Sequence, residues 1–96
     1  MSQGNLWFKT DKEVITVGLT AQAQDDLGSI TFAMLPKVDQ LIKLGEPVIE
    51  LEAEKAVVEY ESPVEGKVVR VNEEALNNPK LLDEPDAWLF SVIEVI

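Results

Sequence analysis

The chain contains no cysteine and no histidine. Without thiols there are no disulfides, no thiol catalysis and no thiolate metal sites, and without imidazole the usual general base and the commonest metal ligand are missing. Most hydrolytic chemistry goes with them, so the chain is read as a non-enzyme with neither catalytic residues nor metal ligands. Positive charge is scarce as well: 8 Lys and Arg stand against 18 Asp and Glu, a net charge of -10. Such a surface repels phosphate backbones and anionic lipid, so neither nucleic acid nor a membrane is expected as a partner. No apolar run approaches the ~18 residues of a membrane helix. Met1 to Asn5 carry neither a basic nor an apolar leader segment, and the expectation is a cytoplasmic protein.

What remains is 96 residues, 46% hydrophobic and 27% charged, the composition of one globular domain spanning residues 1–96. A chain this short buries somewhat over ~60% of its unfolded surface and folds alone with little stability to spare. A monomer is expected.

Short β-rich runs dominate the pattern. Leu6 to Lys9 and Val14 to Leu19 are strand candidates around the polar turn Thr10-Asp11-Lys12-Glu13, which lacks glycine. Thr20 can cap a short helix, Ala21 to Leu27, with Gly28 at the position where a left-handed cap is usual. Ile30 to Leu35 reads as a strand stopped by Pro36, and Lys43 to Pro47 as a turn. Lys67 to Val71 is β-branched, one-turn helical pieces start at Asn72 and Asn78, and Ala87 to Phe90 with Val92 to Ile96 form a last strand. Many short strands with frequent turns predict a mainly β fold, a flattened antiparallel barrel or sandwich with short helices.

Val48 to Tyr60 is the most informative stretch. It folds back on itself with Glu54-Lys55 at the turn, so that Ala53 faces Ala56, Leu51 faces Val58 and Ile49 faces Tyr60. One side of this hairpin is then apolar throughout, the other carries Glu50, Glu52, Val57, Glu59 and Glu61, and a one-residue slip would mix the two sets. Lys55 sits at an exposed tip where turn rules ask for Asn-Gly or Asp-Gly. Spacing alone leaves two readings of that lysine: a solvated turn residue, or an amine presented to a modifying enzyme. The acidic side is likewise either a recognition face for partner enzymes or a charged, edge-protecting strand.

The residues around the tip resemble the H proteins of the glycine cleavage system, within the biotinyl/lipoyl carrier fold. Glu52-Ala53-Glu54-Lys55-Ala56 is similar to the family's Glu-Ser-Val-Lys-Ala around its lipoylated lysine, and Tyr60 to Val69 is similar to its Tyr-Ser-Pro-Val-Ser-Gly-Glu-Val-Val segment. Gly18-Leu19-Thr20, Ala23-Gln24, Leu27-Gly28, Leu35-Pro36 and Trp88-Leu89-Phe90 resemble further landmarks in the same order. Biotinyl domains place methionine on both sides of their lysine, and this chain does not.

The resemblance implies a barrel-sandwich hybrid carrying lipoate as an amide on Lys55, with Glu54, Ala56 and Glu59 beside the arm and Glu50, Glu52 and Glu61 facing partners. It implies a lipoate ligase or lipoyltransferase and dihydrolipoyl dehydrogenase as partners, with glycine decarboxylase and aminomethyltransferase in a complete glycine catabolic system. H proteins carry His-Glu ahead of their N-terminal tryptophan, where this chain has Asn5-Leu6 before Trp7. The replacement of that acid by Leu6 supports a different expectation, an H-like protein acting as a lipoate relay or modification-regulated carrier. An unmodified β-sandwich interaction module is the third reading.

Overall fold

Two antiparallel sheets form a sandwich in the computed structural model, which describes residues 2–94. The strands are β1 (Ser2–Gln3), β2 (Leu6–Asp11), β3 (Val14–Leu19), β4 (Ile30–Met34), β5 (Leu41–Ile42), β6 (Pro47–Ala53), β7 (Val57–Glu61), β8 (Gly66–Val71) and β9 (Trp88–Ile93). Six of them make one sheet in the order β1-β2-β3-β9-β8-β5, and β4-β6-β7 make the other. The mainly β expectation holds in its sandwich form. The last strand runs unbroken through Ser91, whereas the predicted Val95 and Ile96 lie outside the described residues.

Strand β9 is central because its sequence buries both sides. Leu89, Phe90, Ser91 and Val92 are all fully buried between β3 and β8. The hydroxyl of Ser91 is satisfied by Thr16, Oγ1 to Oγ 2.9 Å, as a buried polar group must be. Val17, Leu19, Val68 and Phe90 join Ile30, Ala33, Ile49 and Leu51 of the smaller sheet in one core.

The β2–β3 turn closes without glycine because Lys12 itself adopts φ 58°, leaving only Lys12 and Glu13 outside the ladder. Helix α1 (Ala21–Leu27) starts as its sequence indicates, Thr20 Oγ1 accepting from the Ala23 amide at 3.2 Å. Gly28 closes it at φ 74°, ψ -154°, so the positive φ is as expected but ψ lies well away from the left-handed helical region. Helix α2 (Glu73–Asn77) and a 3₁₀ turn (Pro79–Asp83) follow the two asparagines, yet neither side chain caps. Asn72 instead donates from Nδ2 to the Trp88 carbonyl at 2.8 Å, tying α2 to β9. No helix among the described residues is long and apolar enough to cross a membrane.

Candidate functional site

Strands β6 and β7 pair in the register their pattern dictates: Ile49 opposite Tyr60, Glu50 opposite Glu59, Leu51 opposite Val58 and Glu52 opposite Val57. The next rung is closed by the Ala53 amide donating to the Ala56 carbonyl at 2.9 Å, which leaves Glu54 and Lys55 as the turn. Ile49 and Leu51 are buried, and Ala53, Ala56, Val58 and Tyr60 pack against the core as partly buried residues. Glu52, Val57, Glu59 and Glu61 are exposed on the other side and Glu50 is half-buried there.

Glu54-Lys55 does not use the backbone geometry that two-residue turns favour. Among the described residues the non-glycine positions with positive φ are Lys12, Asp39 and Asp86, so neither turn residue adopts it. The tip is held from outside the hairpin. The Glu54 amide donates to the Ser29 carbonyl and the Lys55 amide to the Leu27 carbonyl, both at 2.9 Å, while Lys55 Nζ donates to the Asp25 carbonyl at 3.0 Å. Helix α1 ends with carbonyls that lack partners inside the helix, and the lysine cation and amide satisfy two of them at the negative end of the helix dipole. The dipeptide is thus held by its contacts with the end of α1 and the residues just beyond it.

The platform beneath the tip is itself braced. Asp83, at the end of the 3₁₀ turn, accepts from Ser29 Oγ at 3.0 Å and from the Ile30 amide at 2.9 Å. Gln24 Nε2 donates to the carbonyls of Leu82 and Glu84 at 2.8 and 2.7 Å. Gly28 sits close beneath the tip: a Cβ there would stand 2.7 Å from Glu54 Oε1, so that the Glu54 side chain would have to shift, and 3.5 Å from Lys55 Cγ. Sequence reading missed these supports because three of the acceptors under the tip are backbone carbonyls, which carry no residue signature. Gln24 and Asp83 were findable only as polar side chains beside a helix end.

Further along β7 a surface groove of about 700 Å³ opens among Asn5, Leu6, Leu44, Glu59, Tyr60 and Glu61. It brings Leu6 and Glu59 together, but Leu6 is only 4% exposed and belongs to the core, so it forms the floor of this groove. Four strand residues at ~3.3 Å each put Glu59 about 13 Å from Lys55, within the span of a lysine bearing a long acyl chain. Burial, and then the negative charge of Asp26, push the Tyr60 phenol above its usual value. Glu61 lines the groove and stands opposite Pro47, and Glu50 and Glu52 lie on the outward face of the sheet.

The model of the glycine cleavage H-protein family matches residues 1–94 of this chain. The glycine cleavage system H protein of Coprothermobacter proteolyticus is 43% identical over 98 residues, spanning 98% of this chain and 76% of that protein. That of Bacillus mycoides is 40% identical over 94 residues, spanning 95% and 74%. The crystal structure of a glycine cleavage system H protein from Mycobacterium marinum superposes with a TM-score of 0.86 at 29% identity, covering 98% of this chain and 81% of that one.

Proposed function

Because the chain belongs to the glycine cleavage H-protein family, we propose that it is a lipoyl carrier of the glycine cleavage system with the arm attached at Lys55. The observation that carries this reading is an exposed primary amine at the tip of a hairpin whose backbone is pinned by two hydrogen bonds, one to Leu27 at the end of α1 and one to Ser29 just beyond it. H proteins are carriers rather than catalysts, and the absence of histidine and cysteine accords with that role. The relatives quoted above bear glycine cleavage names, which favours this role over a lipoate relay and over an unmodified interaction module.

The tip suits a lipoyl amide. Among the described residues Nζ donates one hydrogen bond, to an exposed backbone carbonyl, so acylation disturbs no buried partner. A bound lipoyl group supplies a dithiolane that accepts electrons and a one-carbon fragment. The protein's part is positional. A pinned attachment point holds the far end of the arm at high effective concentration near each partner, which speeds successive encounters without new contacts. Glu54 and Ala56 flank the attachment point, and Glu59 offers a carboxylate to an amine brought into the groove. The proposed partners are a lipoate ligase or lipoyltransferase, glycine decarboxylase, aminomethyltransferase and dihydrolipoyl dehydrogenase.

The test is glycine decarboxylase-catalysed exchange of the glycine carboxyl group with labelled bicarbonate. Exchange should require the lipoylated protein and vanish with the Lys55→Arg variant. Exchange that proceeds equally with unlipoylated protein would refute the carrier role.

A further inference from the structure

The outward face of the smaller sheet is more apolar than a wet sheet face needs to be. Pairing sets Phe32, Glu52 and Val57 in one row across β4, β6 and β7, and Met34, Glu50 and Glu59 in the next. Phe32 is 40% exposed, Met34 54% and Val57 70%. Antiparallel sheets with one solvated face ordinarily put polar residues there, so three large apolar side chains on six neighbouring positions serve contact with something else. A groove of about 460 Å³ opens beside Met34, Glu50 and Glu59, with Lys37 also in its lining. The carboxylates of this face are in no ion pair; among the described residues the one salt bridge joins Lys67 to Asp39.

We propose that this face docks the enzyme that acylates Lys55, and that the enzyme meets it with an apolar patch rimmed by lysine and arginine. The proposal rests on reading Lys55 as the modified residue. Along β7, Val57 lies two residues and Glu59 four residues from Lys55, roughly 7 and 13 Å. A standard interface covers about 800 Å² of each partner, a patch of roughly 16 Å radius. A protein seated around Lys55 therefore covers both rows.

Among partners, the acylating enzyme has to press on the body of the domain, because a bare lysine reaches only its own length. Later partners receive the end of a long arm. In the acylation step Nζ attacks the carbonyl of a lipoyl adenylate. The amide C–N bond forms as the carbonyl–phosphate bond breaks, the nucleoside monophosphate leaves, and the ammonium gives up two protons, one before attack and one with it. Glu50, Glu52 and Glu59 on a chain of net charge -10 repel an acidic partner, including a second copy of the chain, and favour a basic rim.

The experiment follows lipoylation of the unmodified protein by a lipoate–protein ligase with lipoate and ATP, over a range of carrier concentrations. Wild type is compared with a Met34→Ser/Val57→Ser double variant and a Glu50→Gln/Glu52→Gln double variant. Loss of two exposed apolar side chains that the docked enzyme would cover should raise KM about tenfold or more while kcat and the melting temperature stay at wild-type values. The glutamine pair should raise KM and flatten its salt dependence, and the lipoylated variants should be reduced by dihydrolipoyl dehydrogenase at the wild-type rate. Wild-type KM in both variants overturns the proposal, as does a defect seen in reduction and absent from acylation. A wild-type protein that accepts no lipoate overturns the assignment of Lys55 instead.

Discussion

The Lys55 amide donates to the Leu27 carbonyl across 2.9 Å, so the tip of one hairpin is fastened to the last turn of a helix from another part of the chain. This contact stands in for the positive-φ turn chemistry that Glu54-Lys55 does not use. It also means that the position of the amine depends on residues that never touch it.

Gly28 is the first such dependence. Its φ and ψ fall in a region essentially reserved for glycine, and a Cβ would collide with the Glu54 side chain. Gly28→Ala should cost on the order of 1–3 kcal/mol, seen as a melting temperature lower by roughly 4–8 °C per kcal/mol. The measurement is thermal unfolding by circular dichroism, and the same variant should be lipoylated more slowly because the tip is displaced.

Asp83 is the second. Removing its carboxylate leaves the Ile30 amide and the Ser29 hydroxyl without their acceptor. Asp83→Ala should destabilise by about 1–3 kcal/mol, and Asp83→Asn, which keeps one acceptor oxygen, by less. Urea unfolding of both variants checks the order, and faster hydrogen exchange at Ile30 in Asp83→Ala would locate the loss.

How far these features were legible in the residues differs by feature. The β6–β7 register followed from the alternation of Ile49, Leu51 and Ala53 against Glu50 and Glu52, because a slip would have exchanged core and solvent faces. Thr20 was legible as a cap because a hydroxyl before a helix has one common use. Asn72 and Asn78 correctly marked where α2 and the 3₁₀ turn begin, but neither side chain caps: asparagine also bonds distant carbonyls, and Asn72 does so with Trp88. The turn at Thr10 to Glu13 was legible from its polar residues, but the positive φ of Lys12 that closes it was not, since a lysine in that conformation has no sequence signature. Leu6 carried expectations drawn from a charged position in relatives, and its burial shows that its side chain packs in the core.

Tyr60 gives a pH prediction. Burial and Asp26 raise its pKa in the folded protein, so the folded state keeps the phenolic proton at a pH where the unfolded chain releases it. The contribution is fully present below the unfolded value near ~10 and is lost as pH rises through the higher folded value, because the unfolded state then binds fewer protons. Stability should fall more steeply above pH ~10 in wild type than in Tyr60→Phe. Urea midpoints measured across that range for the two proteins check it, and Asp26→Asn should lessen the wild-type slope.

Glu50 and Glu59 face each other across β6 and β7, a like-charge pair that costs a few tenths of a kcal/mol. Glu59→Lys turns it into an attractive pair and should stabilise the domain by about 0.2–1 kcal/mol. Reversal of both residues should slow lipoylation more than it changes stability. Wild-type rates should fall with rising ionic strength while those of the doubly reversed protein change little, as initial rates at a series of salt concentrations would reveal.

The assignment of the arm to Lys55 is tested most directly by peptide mass mapping of protein incubated with lipoate, ATP and a lipoate–protein ligase. One lipoyl mass should appear on the peptide containing Lys55. None should appear anywhere in Lys55→Arg, whose guanidinium stays protonated and forms no amide, while its circular dichroism matches wild type. Lipoyl on Lys43 or Lys67, or undiminished incorporation by Lys55→Arg, would contradict the account.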